Sequence, residues 1–370
     1  MKKSDVYFTD FQATMTENLP QKLARLLQAA DMRRIDMHNK FVAIKLHFGE
    51  PGNLAYLRAN YARVVVEQVQ RLGGRPFVTD CNTLYAGRRK NALEHLEAAY
   101  VNGYNPLTLG CHVLIGDGLK GTDEALVPVG GEFVREAKIG RAVMDADVII
   151  SLNHFKLHEQ TGFGGALKNL GMGCGSRAGK MEMHDSGQPE INQALCAACG
   201  LCARNCAHGA ISFNADGKAA IDSARCVGCG RCIGVCSADA VAGRFNETNE
   251  RLSRKIAEYA LAVTRGRPHF HITLARDISP FCDCHAENDR PVVPDVGMLA
   301  SFDPVAIDVA AAALVNAQTP LADSLLGQAG AGPGQDYFTA LHPTTDWRAC
   351  ISQAVKMGIG STEYNLIRLK

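Results

Sequence analysis

The chain has 370 residues with 39 Lys plus Arg against 38 Asp plus Glu, a formal charge of +1, so it lacks the basic excess of a dedicated nucleic-acid or anionic-membrane binder. Its composition, 46% apolar and 21% charged, is that of a globular protein, and no segment reaches the roughly 18 uninterrupted apolar residues of a membrane span. The opening MKKSDVYFTDF has polar and acidic residues where a secretory signal needs an apolar stretch, so a soluble, cytoplasmic protein is expected.

In chain order, residues 40 to 48 read as a strand and 54 to 72 as a helix stopped by Gly73 and Gly74. A strand at 75 to 79, a helix at 88 to 101, a strand at 111 to 116 and an apolar strand at 147 to 152 follow. Strands separated by helices of this length predict a mostly parallel sheet with helices on both faces. After a cysteine-rich stretch the pattern resumes, with a helix at 247 to 264, strands at 269 to 274 and 297 to 301, and a helix capped by Asp303 and Pro304 that runs to Asn316. The expected organisation is one α/β domain in two parts, 1–189 and 243–370, with a small α+β module inserted at 190–242.

The insertion carries eight of the 14 cysteines. They run Cys196-x2-Cys199-x2-Cys202-x3-Cys206 and again Cys226-x2-Cys229-x2-Cys232-x3-Cys236, an internal repeat offset by 30 residues. In a chain with no export signal, such clustering reads as metal binding rather than disulfide pairing. In a two-cluster ferredoxin, three close thiolates hold one [4Fe-4S] cube and the fourth of each run reaches the other cube. The expected sets are therefore Cys196, Cys199, Cys202 and Cys236 for the first cluster, and Cys226, Cys229, Cys232 and Cys206 for the second. Paired zinc sites are the alternative, but they do not need a third and fourth Cys at these spacings. Residues 211–213 and 219–221 flank a turn and suggest a short hairpin. Few large apolar side chains lie in this stretch, so bound clusters must help to fold it. The stretch resembles the bacterial two-[4Fe-4S] ferredoxin module, except that Ala207 and Ser237 stand where such runs usually have Pro.

In an open parallel sheet, ligands collect beyond the carboxyl ends of the strands. Lys45, His47 and Glu50 follow the first strand, Asp80 and Asn82 the second, Asp117 the third, and Asn153, His154, Lys156 and His158 the fourth. Taken singly, each is explained as a loop or capping residue; together they mark a candidate site. Lys156 and Lys168, with backbone amides freed by the glycines of 162–175, are suited to hold a carboxylate or phosphate, and a mobile glycine-rich lid is the other reading. His47 or His154 would move the proton, making His47, His154 and Lys156 the catalytic candidates and Lys45, Asp80, His158 and Lys168 the ligand-binding ones. Cys282 and Cys284, flanking Asp283, read as a third metal or redox site or, more simply, as two free thiols.

The motifs at 45–50 (KLHFGE), 80–85 (DCNTLY), 153–173 (NHFKLHEQTGFGGALKNLGMG) and 300–310 (ASFDPVAIDVA) resemble the prokaryotic family called domain of unknown function 362. The resemblance implies a cytoplasmic iron-sulfur protein of redox role and supplies no substrate or catalytic residues. The functional expectation is an oxidoreductase that passes low-potential electrons from a soluble donor protein through two [4Fe-4S] clusters to a small anionic substrate or bound cofactor. The opposing class is a non-enzymatic electron-transfer or assembly protein whose α/β body docks a partner. No flavin or nicotinamide motif is visible.

Overall fold

The computed structural model of the chain describes residues 3–85, 87–184 and 187–369. Residues 1–2, with which the opening segment begins, and residues 86, 185, 186 and 370 lie outside the described residues.

Eight strands form the central sheet: β1 (Ser4–Thr9), β2 (Phe41–Lys45), β3 (Arg75–Asp80), β4 (His112–Ile115), β5 (Val148–His154), β6 (His269–Ala275), β7 (Gly297–Ser301) and β8 (Tyr364–Arg368). Their order across the sheet is β8-β1-β7-β6-β5-β2-β3-β4. Only β7 opposes its neighbours β1 and β6; every other pairing is parallel. A parallel return needs a crossover, usually a helix, and none lies between Ala275 and Gly297. The chain therefore turns back antiparallel, and its connection stays at the edge where the parallel strands end.

Side chains alternate between two cores, as a pleated strand requires. Val42, Ile44, Val148, Ile150, Phe270 and Ile272 join a core with the helices Leu19–Ala29 and Ala59–Arg71. Ala43, Ile149 and Leu299 face the opposite core, built with Ala166–Cys174, Asn249–Thr264, Pro304–Asn316 and Trp347–Lys356. This is an α/β fold with a mostly parallel sheet and helices on both faces. Among the described residues, no helix is long and apolar enough to cross a membrane.

Two helices begin later than periodicity suggests, and a third begins at its expected cap. Asn91 accepts a hydrogen bond from the Glu94 amide and starts Ala92–Val101. Ahead of Ala59–Arg71, residues near 54 stay in a loop, where Asn53 donates to the His285 carbonyl across the site. Asp303 accepts from the amides of Val305 and Ala306 and starts Pro304–Asn316.

The cysteine-rich stretch lies in sequence between the helices Arg177–His184 and Asn249–Thr264. Its expected hairpin pairs Ile211–Phe213 with Ala219–Ile221. A second pair, Pro189–Ile191 with Val241–Gly243, repeats it at an offset of 30 residues. The backbone repeats too: Ala198 and Gly228, Gly200 and Gly230, and Gly209 and Asp239 all have positive φ. Residues 30 apart thus wrap in the same way. The local core is small, formed by Leu84, Met181, Cys202, Ala219, Cys232, Ile233, Cys236, Ala240 and Val241.

Candidate functional site

β2, β3, β5 and β6 run in one direction, so their carboxyl ends open on one edge of the sheet. There they surround a cavity of about 410 Å³. Lys45, His47, Asp80, His154, Lys156, His158 and Lys168 all line it. Asn82 and Asp117 do not: the Asp117 carboxylate accepts from the Asn82 amide and side chain at 2.9 and 2.8 Å, a buried brace beneath the wall.

Two carboxylates anchor the cavity. The ammonium of Lys45 lies 3.0 Å from Asp80 and 2.7 Å from the Asn169 side-chain oxygen. Burial would raise the Asp80 carboxyl, but Lys45, with His95 and His47, holds it well below the usual range. Asn169 also donates to the Lys45 carbonyl and to Asn153, fastening the helix Ala166–Cys174 to the strand ends. The second anchor is Asp283, fully buried on the β6–β7 connection. It meets Lys156 at 2.6 Å, His154 at 3.1 Å and His47 at 3.6 Å. Burial again opposes its ionisation, and Lys156, His47 and His154 overcome it.

Arg89 crosses between segments. Its guanidinium is buried, with Nε 2.7 Å from Glu50, Nη1 2.8 Å from His47 Nε2 and Nη2 3.1 Å from the Cys284 carbonyl. A guanidinium only donates, so His47 accepts at Nε2. Burial lowers the affinity of His47 for a second proton, Arg89 lowers it further, and Asp283 does not compensate. In His154, Nδ1 faces Asp283 and Nε2 faces the Arg276 carbonyl at 2.8 Å. Both expected proton carriers are therefore held by protein groups. His158 is held differently: the Gln160 and Thr161 amides donate to Nδ1, and its Nε2 has no hydrogen-bond partner among the described residues.

The lysines divide in the same way. Lys45 and Lys156 are neutralised by carboxylates, whereas Lys168 and Lys180, also in the lining, have no carboxylate within ion-pair distance among the described residues. Lys168 points to Cys282 Sγ at 3.6 Å, and Lys180 donates to the Gly175 carbonyl at 2.5 Å. The excess positive charge is felt by His184, which burial, followed by Lys168, His158 and Lys180, pushes down to about 3.

The glycine-rich segment is regular structure rather than a free loop. It forms a buried hairpin, Lys156–His158 with Gly162–Gly164, and then the helix Ala166–Cys174. The amides of Ala166 and Leu167 at the helix start are already taken by Asp308 at 2.6 and 3.0 Å. Its glycines serve close packing. A side chain at Gly173 would begin 2.5 Å from the Lys45 ammonium, so glycine there lets Lys45 reach Asn169.

Sequence reasoning missed Arg89 and Asn169, and noted Asp283 only as the residue between Cys282 and Cys284, not as the partner of Lys156 and His154. Arg89 stands several residues past the end of β3, and Asp283 lies on a return that a purely parallel reading does not anticipate.

Cysteines of the two runs lie near one another. Cys206, Cys226, Cys229 and Cys232 line one small cavity beneath the hairpin strands, and Cys202 is influenced electrostatically by Cys236 and Cys196. Cys199 is exposed, while Cys202, Cys232 and Cys236 are buried.

A parallel α/β sheet with a charged cavity at its carboxyl edge and an eight-cysteine repeat defines the class of protein. The chain belongs to the family described as domain of unknown function (DUF362), whose model matches residues 42–313. No curated protein matches it in sequence. Among solved structures, the lactate racemase apoprotein from Thermoanaerobacterium thermosaccharolyticum aligns with 11% identity and a TM-score of 0.35, over 73% of this chain and 51% of that one. A protein of Thermotoga maritima from a structural-genomics consortium aligns with 11% identity and a TM-score of 0.37, over 91% of this chain and 58% of that one. The chain thus spans a little over half the length of each.

Proposed function

We propose that the chain is an iron-sulfur oxidoreductase in which two [4Fe-4S] clusters, held by Cys196, Cys199, Cys202 and Cys236 and by Cys206, Cys226, Cys229 and Cys232, serve a small anionic substrate in the cavity. The observation that carries this reading is the partition between them. The helix Arg177–His184 presents Lys180 and His184 to the cavity. A side chain added at Gly230, inside the second cysteine run, would meet Arg177 and Met181 of the same helix. Leu84 lines the cavity and also joins the small core that contains Cys202, Cys232 and Cys236. One helix and one side chain therefore separate the cysteines from the cavity.

The residues present suit such a group. Four cysteines from both runs share one cavity, and the Nε and Nη1 of buried Arg177 have no hydrogen-bond partner among the described residues. Burial disfavours its charge, which Asp117 and then Cys232 and Cys229 favour. An unpaired guanidinium in such a place is costly, and an anionic cluster would compensate it. When bound, such clusters supply single electrons at low potential, tuned by nearby hydrogen bonds and charge. The chain's own residues do the rest. Lys168 and Lys180 attract the anion, Lys45 and Lys156 keep the walls ordered, and His158 offers a hydrogen bond from Nε2–H. Exposed Cys199 marks the face for a soluble donor protein. A plain carrier has no use for a cavity lined by charged side chains, which weighs against the docking-protein reading.

Two expected results test this account. A small anionic compound should be retained by protein purified anaerobically and identified by mass spectrometry. Lys168→Met should weaken it about 10- to 100-fold, since a hydrogen bond to a charged group contributes roughly 1.5–3 kcal/mol, with iron content unchanged. Equal retention by the variant would remove Lys168 from the site. Separately, Arg177→Met should lower the reduction potential of the second cluster by about 60 mV, the tenfold equivalent for a one-electron couple, and Arg177→Lys should restore most of it. A potential unmoved in spectroelectrochemistry would show that Arg177 does not act on the cluster.

A further inference from the structure

Cys282 and Cys284 lie on the β6–β7 connection and line the cavity. Their sulfurs and a ring nitrogen of His158 fall within 4.8 Å of one another. Three such groups often hold a metal, yet the surroundings argue otherwise. The Gln160 and Thr161 amides donate to His158 Nδ1 at 3.1 and 3.4 Å, so the proton of the neutral ring sits on Nε2. A metal-bound imidazole has the opposite pattern, donating from its second nitrogen. A ring held this way serves a thiolate instead, as a hydrogen-bond donor.

The other neighbours agree. Lys168 Nζ stands 3.6 Å from Cys282 Sγ, the Cys284 amide donates to the same sulfur at 3.4 Å, and Arg89 reaches the Cys284 carbonyl. Cations beside a thiol favour the reactive thiolate; at Cys282 burial outweighs Lys168, whereas at Cys284 the hydrogen bond from Cys282, with Lys168 and Arg89, outweighs burial. Burial pushes the Cys282 thiol up to about 12, while a hydrogen bond from Cys282 pulls Cys284 down. Cys282 thus keeps its proton and Cys284 is the more ready to ionise. Buried Cys174, without such a partner, is raised to about 11 by burial.

We propose that Cys282 and Cys284 form a dithiol–disulfide couple that reduces a small anionic disulfide drawn into the cavity by Lys168 and Lys180. The Cys284 thiolate attacks one sulfur of the substrate, giving a mixed disulfide and releasing one substrate thiolate, which accepts a hydrogen bond from His158 Nε2–H and leaves with a proton from water in place of the one Cys284 released. Cys282 then attacks the Cys284 sulfur, releasing the second substrate thiol with the proton Cys282 gives up, and the Cys282–Cys284 disulfide forms. Its return to the dithiol takes two electrons and two protons, the electrons coming one at a time from a low-potential donor. That last step rests on the iron-sulfur reading; the exchange steps do not.

The test uses the full chain, reconstituted anaerobically and with its iron measured, and glutathione disulfide as the probe. The wild-type protein should gain an internal disulfide at Cys282 and Cys284, seen as a mass loss of the linked peptide. Cys282→Ser should trap a glutathione adduct on Cys284, Cys284→Ser should leave Cys282 unmodified, and iodoacetamide should label Cys284 about tenfold faster than Cys174. Iron-replete protein that forms neither disulfide nor adduct overturns the couple. So does one zinc ion per chain that Cys284→Ser loses, since that would make the group a metal site. Absence of iron with exchange intact would sink the cluster reading alone.

Discussion

Asp283→Asn is expected to disable the cavity while leaving the iron content intact. The carboxylate is fully buried and meets Lys156, His154 and His47 at once. The asparagine has nearly the same shape, so the change removes charge rather than volume. It leaves Lys156 without its anionic partner in a place where water does not replace it, and breaking a buried pair in this way costs about 3–5 kcal/mol. Denaturant titration should show that loss. Retention of the anionic ligand should fall to background, because Lys156 and His154 no longer have fixed positions. Asp36→Asn is the control: its pair with Lys40 is exposed, and stability should barely change. If Asp283→Asn is as stable as the parent and keeps its ligand, Asp283 does not anchor the site.

The second large effect concerns which cysteines act together. Cys206→Ser should impair the cluster of Cys226, Cys229 and Cys232, although Cys206 belongs in sequence to the first run, because these four side chains line one cavity. The cluster of Cys196, Cys199 and Cys202 should keep its spectrum. The reciprocal variant, Cys236→Ser, should spare the second cluster and damage the first. Electron paramagnetic resonance of the reduced variants distinguishes the two. Loss of the first cluster from Cys206→Ser would mean that each run closes on itself.

Much of this arrangement was legible in the sequence because the signals were local. The repeat at 30 residues announced the pseudo-symmetric pairs of strands, and Asp303 with Pro304 marked a helix start that tertiary packing did not shift. The strand-end rule brought seven side chains from three segments to one cavity because most strands do run parallel. What escaped was non-local. β1 and β8 pair with each other across nearly the whole chain, and no local pattern encodes that partnership. The antiparallel return into β7 placed Asp283 opposite Lys156, a pairing 127 positions apart in sequence. His47 and His154 looked like free proton carriers because neither Arg89 nor the Arg276 carbonyl can be assigned as a partner from spacing alone. The glycines of 162–175 looked like loop residues, although several exist to let a lysine or a neighbouring backbone approach.

The proposed function stands or falls most directly on the metal content of the full chain after anaerobic reconstitution. Two complete four-cysteine sets predict about eight iron and about eight acid-labile sulfide per chain, with the spectrum of two interacting one-electron centres on reduction. Zinc in place of iron, or about four irons with one run of cysteines free to alkylate, would contradict the account.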